Sequence, residues 1–156
     1  MIFATVGTQL PFDRLTRALA GLAPELGEKI VAQVGAFGAD QDGLDCRRQL
    51  TPAEFEELFT AARVVVAHAG IGTMLSARRW GKPLVVVPRR YALGEHRNDH
   101  QVATARQIAE IPGLYVAWKT DELGPLLRHH NLIPASETET PSRAVLVARL
   151  RAFVEE

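Results

Sequence analysis

One cysteine cannot form an internal disulfide, and Cys46 is the only one in the sequence. That scarcity fits a reducing cytoplasm, and Cys46 itself is expected to be an ordinary half-buried side chain. Net charge is missing too. The 18 Lys and Arg residues cancel the 18 Asp and Glu residues, so there is no basic footprint for nucleic acid and no charged tail. No apolar run approaches the roughly 20 residues that a membrane-spanning helix needs. The apolar opening, Met1 to Val6, is too short for a signal peptide and lacks a basic lead. If the protein works at a membrane, something else must hold it there. What is present is globular: 156 residues, 47% hydrophobic and 23% charged, suit a single domain over 1–156 with a sizeable core.

Short apolar runs alternate with amphipathic stretches. Strands are expected at Ile2–Val6, Lys29–Val34, Arg63–Ala67, Leu84–Val87 and Leu114–Trp118, with a short one over Cys46–Leu50. Helices are expected over Pro11–Leu22, from Thr51-Pro52-Ala53-Glu54 to Ala61, from Gly72 to the stop at Gly81-Lys82-Pro83, over Asn98–Glu110, from Thr120 to Arg128, and over Pro141–Glu156. The Thr51 start carries a capping box with proline in the first turn. Continuously apolar strands alternating with helices indicate an α/β fold: a doubly wound parallel sheet covered on both faces.

The unusual residues follow strands. Gly7-Thr8-Gln9 follows the first, His68-Ala69-Gly70-Ile71-Gly72-Thr73 the Arg63–Ala67 strand, and Pro88 to Gln101 the Leu84–Val87 strand. Ligands of doubly wound sheets sit outside the strands' carboxyl ends at the switch point. All three loops converge there if the strand order is the common dinucleotide-binding one.

The glycine loop has two readings. It is a tight strand-to-helix turn, or an anion site in which Gly70 and Gly72 let a diphosphate approach free helix amides and the Thr73 hydroxyl. Two familiar signatures are absent. Leu75 stands where a dinucleotide fingerprint has its last glycine, and no Lys-Ser/Thr follows as in a P-loop. NAD and ATP hydrolysis are disfavoured, and no cofactor is expected. His96 and His100 would share one face of a helix, but no third strong ligand accompanies them, so no metal site is expected. Arg89 and Arg90 are a solvated edge or a pair of forks for phosphate or carboxylate. Trp80 and Trp118 read as core or interface aromatics.

As a set these motifs resemble the donor-binding half of family 28 glycosyltransferases. The resemblance rests on Phe3–Gln9 with Pro11-Phe12-Asp13-Arg14-Leu15, on His68–Thr73, on Gly81-Lys82-Pro83-Leu84 with Pro88-Arg89, and on Glu95–Gln101. It is greatest to PssE-type subunits of exopolysaccharide synthesis. The small subunit of the split dolichol-linked GlcNAc transferase is also similar. The resemblance implies a Rossmann-like domain equivalent to the C-terminal half of a GT-B enzyme, acting as an inverting transferase on a UDP-sugar, with glucuronic acid first and GlcNAc second. A non-catalytic nucleotide-sugar-binding subunit is a further alternative.

By position, Gly70, Gly72, Thr73 and Arg89 would hold the diphosphate. Gly7, Thr8, Gln9, Ser76, Glu95, His100 and Gln101 would face the sugar or nucleotide. Ser76 stands where relatives carry a ribose-binding glutamate. The implied partner is a membrane-anchored, PssD-type acceptor-binding subunit, which would recruit this cytoplasmic chain to the membrane and present the lipid-linked acceptor. The general base is expected from that partner. His68 is the candidate here, or else a loop-shaping hydrogen bonder. The terminal helix, apolar on more than one face, packs on its own sheet or contacts the partner.

Overall fold

The computed structural model describes residues 1–137 and Ala148. The helix expected over 141–156 and its partner contact lie outside the described residues. Six parallel strands form one sheet: β1 (Ile2–Thr5), β2 (Ile30–Gln33), β3 (Asp45–Arg47), β4 (Val64–His68), β5 (Leu84–Val87) and β6 (Leu114–Val116). Their spatial order is β3-β2-β1-β4-β5-β6. The expected dinucleotide-type order is therefore present. The chain winds one way from β1 and the other way from β4, so the two strands flank the switch point.

Helices cover both faces because side chains alternate along each strand. Ile2, Ala4, Val64 and Val66 pack with Leu15 and Leu19 of α1 (Asp13–Leu26) and with Leu123 and Leu127 of α5 (Leu123–Arg128). Phe3, Val65, Ala67 and Val86 face the other way. They meet Phe59 of α2 (Pro52–Ala61), Met74 and Ala77 of α3 (Ile71–Arg79), and Ala105 and Ile108 of α4 (His100–Ile108). Phe55, Phe59 and Trp80 stack there as one aromatic group, with the Phe59 and Trp80 centroids 5.0 Å apart. Trp80 and Trp118 are both partly buried against this core, as expected.

Local signals placed most boundaries to within a few residues. The capping box at Thr51 is formed in full, with Glu54 N–H donating to the threonine hydroxyl and Thr51 N–H to the glutamate carboxylate. Most elements differ from expectation by a few residues at one end or both, and three of the differences have a plain cause. Helix α1 runs through Pro24 and stops at Gly27, whose positive φ of 62° lets its N–H donate to Ala23 O. Strand β3 is Asp45–Arg47 rather than Cys46–Leu50, because pairing with β2 ends at Gln33 opposite Arg47. Helix α4 begins at His100 rather than Asn98. Asp99 is its N-cap residue, and the Asp99 carboxylate accepts from Tyr91 N–H at 2.9 Å. His96 lies in the loop before α4, and the shared helix face expected for His96 and His100 does not form. Among the described residues no cluster of metal-ligating side chains occurs.

Candidate functional site

The carboxyl ends of β1, β4 and β5 carry three adjoining cavities. The first, about 550 Å³, lies between α2 and α3 and is bounded by Thr5, Gly7, Thr8 and Gln33 along the strand ends. Leu50, Phe55 and Trp80 give it an apolar wall, and Gly72, Thr73, Ser76 and Arg79 bring α3 onto it. The second, about 230 Å³, shares Gly7 and Thr8 with the first and adds Gln9, His68, Arg89, His96 and Gln101. The third, about 650 Å³, continues outward past Gln9, Leu10, Pro11 and Glu95 to Arg97.

Helix α3 starts at the join of the first two cavities. Its N-cap residue, Gly70, has no side chain to cap it, and no acidic residue occupies its first turn. The amides of Ile71, Gly72 and Thr73 have no acceptor among the described residues. A helix start with free amides, a partial positive charge and an adjacent Thr hydroxyl is suited to an anion.

His68 closes the floor of the second cavity, and a relay fixes its tautomer. Arg89 N–H donates to Gln101 Oε1 at 3.0 Å, so Gln101 turns its Nε2 toward His68 Nδ1 at 3.1 Å. Nδ1 must then accept, and the ring proton sits on Nε2. Burial, with Arg89 and His96 nearby, pushes the His68 pKa down to about 4. The imidazole is thus neutral at ordinary pH, with one nitrogen occupied and the other protonated. In this tautomer its Nε2–H is a hydrogen-bond donor. Its ring lies against two glycines: a Cβ on Gly70 would fall 2.3 Å from His68 Cε1, and one on Gly7 would fall 2.9 Å from Nε2.

The depressed pKa has a measurable consequence. The unfolded histidine takes up a proton near pH 6.5, whereas the folded one resists until about pH 4. Stability contributed by His68 is full above pH 6.5 and drains away as pH falls toward 4. Urea denaturation at pH 7.5 and 4.5 should show wild type losing about 2 kcal/mol more than His68→Asn over that interval. Equal losses in the two proteins would show that His68 is not buried in the neutral form.

Two residues expected to contact ligand, Arg89 and Glu95, have protein partners. Arg89 borders the second cavity, but its guanidinium is spent on the β1–α1 loop. Nη2 donates to Val6 O at 2.7 Å and Leu10 O at 2.8 Å, and Nη1 to Pro11 O at 2.6 Å. The residue is only 2% exposed and lies over the Phe12 ring. The Glu95 carboxylate pairs with the Arg14 guanidinium through two bonds and accepts from Arg90 N–H. Arg90 donates to Trp118 O. These three residues brace the loops, and Arg89 and Glu95 also border the second and third cavities. His100, exposed at the start of α4, lines none of the three cavities. Gly7, Thr8, Gln9, Gly72, Thr73, Ser76 and Gln101 do line them, while Gly70 caps α3 beneath His68.

Several cavity residues escaped the sequence reading. Trp80 reads as a core or interface aromatic, and nothing in the sequence marks Leu50 or Phe55 as lining a site. His96 drew notice only as half of a metal pair, yet its Nδ1 is the one buried side-chain polar atom without a hydrogen-bond partner among the described residues. Gln33 carried a signal that was there to be used: it is a polar residue closing the apolar run Ile30-Val31-Ala32 at a strand's carboxyl end.

Solved proteins share this fold. The chain resembles the solved calicheamicin glycosyltransferase CalG4, with a TM-score of 0.61 and 19% identity over 83% of this chain and 34% of that one. It is similar to MurG of Acinetobacter baumannii, with a TM-score of 0.59 and 21% identity over 84% of this chain and 42% of that one. The glycosyltransferase SsfS6 of Streptomyces sp. SF2575, solved in complex with thymidine diphosphate, gives a TM-score of 0.51 and 22% identity over 86% of this chain and 38% of that one. The chain therefore spans between about a third and about two fifths of these enzymes' lengths. No curated protein matches it. The model of the glycosyltransferase family 28 C-terminal domain matches residues 1–150, and the chain, with the sheet order and helix placement described above, belongs to that family.

Proposed function

We propose that this chain is the donor-binding half of a two-component inverting glycosyltransferase that uses a UDP-sugar. The observation that carries the reading is the start of α3, whose free amides open at the switch point onto two joined cavities. The nucleoside occupies the larger inner cavity against Leu50, Phe55 and Trp80. The diphosphate lies on the amides of Gly72 and Thr73, within reach of the His68 Nε2–H. The sugar extends toward Gln9 and Gln101. Thymidine diphosphate bound to SsfS6 supports a nucleoside diphosphate as the ligand class.

In the reaction, an acceptor oxygen forms a bond to the anomeric carbon while the bond from that carbon to the diphosphate breaks on the opposite face. The acceptor proton passes to a base supplied by the partner. This chain's share is to position the donor and to stabilise the charge that grows on the departing diphosphate. Helix amides and a neutral imidazole N–H are preorganised for that task, and neither loses a proton doing it.

A second component is supported by the surface. Leu10, Phe37, Tyr91 and Leu93 are all exposed, Phe37 by 81% and Tyr91 by 62%, and all follow strands on the cavity-bearing edge. Apolar side chains gathered on one rim suit burial against another protein. We propose as that partner a membrane-anchored acceptor-binding subunit carrying a lipid-linked acceptor. Among the described residues no helix is long and apolar enough to cross a membrane. Glucuronic acid in exopolysaccharide synthesis is the first donor sugar to test, on the PssE-type resemblance, and GlcNAc the second. With Arg89 and Arg90 committed to carbonyls, a uronate carboxylate would need a different cation, and Arg97 on the outer cavity is available.

Calorimetric titration with UDP, UDP-glucuronate, UDP-GlcNAc and UDP-glucose tests the reading. Binding of all four, with one sugar preferred, is the expected result. Absence of binding to every one would overturn it.

A further inference from the structure

We propose that Gln33 selects the base of the donor nucleotide, its amide Nε2 donating a hydrogen bond to a carbonyl oxygen of a pyrimidine. The proposal rests on the donor-nucleotide reading above. Gln33 ends β2 and is 4% exposed. Thr5 holds one end of its amide: the Thr5 hydroxyl accepts from Gly7 N–H and donates to Gln33 Oε1 at 2.7 Å. That leaves Nε2, with two N–H groups, turned away from Thr5. Nε2 has no partner among the described residues, yet it is not among the atoms sealed from solvent without one. Gln33 lines the inner cavity. A side chain this buried would ordinarily have both ends of its amide satisfied within the protein. An N–H pair left open onto a cavity is a place for a ligand acceptor.

The position within the sheet identifies which part of the ligand arrives there. The α3 amides follow β4, and Gln33 ends β2, with β1 between them. Two strand spacings amount to about 10 Å. A diphosphate seated on the α3 turn cannot also reach Gln33, whereas a base one ribose farther along can. The wall on that side is apolar: Leu50 follows β3, Phe55 belongs to α2 and Trp80 ends α3. An aromatic ring fits there, with its polar edge toward the strand ends. Uracil and thymine carry two carbonyl oxygens on that edge, and both accept. Adenine's acceptors are ring nitrogens, which do not project beyond the ring as a carbonyl oxygen does, so a donor placed for a projecting carbonyl meets them poorly.

The test uses the full chain, titrated with UDP, ADP and inorganic pyrophosphate. Wild type is expected to favour UDP over ADP by about tenfold, the worth of one well-placed hydrogen bond. Gln33→Glu keeps an acceptor for the Thr5 hydroxyl but has no donor for the cavity. Gln33→Met removes both, at similar length, and guards against effects of a buried acid. Melting curves confirm that the variants are folded. Both should lose about tenfold in UDP affinity, with ADP and pyrophosphate affinities unchanged, so that the preference disappears. A retained UDP preference, or equal losses for UDP and ADP, would overturn the role of Gln33 while leaving the donor site standing. Wild type that binds none of the three would overturn the donor reading and the Gln33 role with it.

Discussion

Arg89→Met is expected to destabilise the fold by about 3–5 kcal/mol, a large loss for one side chain. The guanidinium fills a site walled by the carbonyls of Val6, Leu10 and Pro11 and by the Phe12 ring. Removing it leaves three carbonyls without their charged donor, each costing on the order of 1–3 kcal/mol where water cannot replace it. Relaxation of the loop recovers part of the sum. Burial lowers the Arg89 pKa to about 10, which still leaves it charged at neutral pH. Arg89→Lys should restore only a fraction of the stability, because an ammonium offers no planar fork to carbonyls arrayed around a guanidinium. Thermal unfolding measures both variants. Pyrophosphate titration then separates bracing from ligation. Arg89→Lys, if folded, should bind pyrophosphate as wild type does. A loss of more than tenfold without loss of fold would put the guanidinium on the diphosphate after all.

The alternation of strands and helices was legible because β1, β2, β4 and β5 are largely apolar runs with glycine or proline within two residues of their ends, a purely local signal. The three special loops were legible for the same reason, and the strand order then brought them to one edge. Arg89 and Glu95 were not legible. Their partners lie about 80 positions away, Arg89 with Val6 to Pro11 and Glu95 with Arg14. No local pattern distinguishes an arginine that caps remote carbonyls from one that faces a phosphate. The His96–His100 pair fails because His96 precedes the helix, which begins at His100; even a start at Asn98 leaves His96 in the loop. Asp99 is tied to Tyr91 across the loop, and Asn98 Oδ1 accepts from His100 N–H just before that start. The inner cavity escaped because its walls are drawn from α2, α3 and two strand ends, so no single segment marks its apolar side chains as lining an opening.

The two glycines beneath His68 give a sharper test of the site than either would alone, because they are required for different reasons. Gly70 has ordinary backbone angles, φ −94° and ψ 138°, so any residue could adopt them. Only the ring excludes a side chain there, with a Cβ 2.3 Å from His68 Cε1. Gly7 combines a close approach to the same ring with a φ of +80°, which a residue with a Cβ resists whatever the space. Gly70→Ala should therefore force the imidazole off Gln101 or tilt the first turn of α3. The expected cost is about 1–3 kcal/mol of stability and more than tenfold in UDP affinity. In a His68→Ala background the same Gly70→Ala change should cost less than about 0.5 kcal/mol, since the clash has gone. Gly7→Ala should remain destabilising in that background, because its backbone strain does not depend on the ring. Equal penalties for Gly70→Ala in both backgrounds would mean that the imidazole does not lie between the two glycines, and the donor N–H assigned to His68 would have to be abandoned.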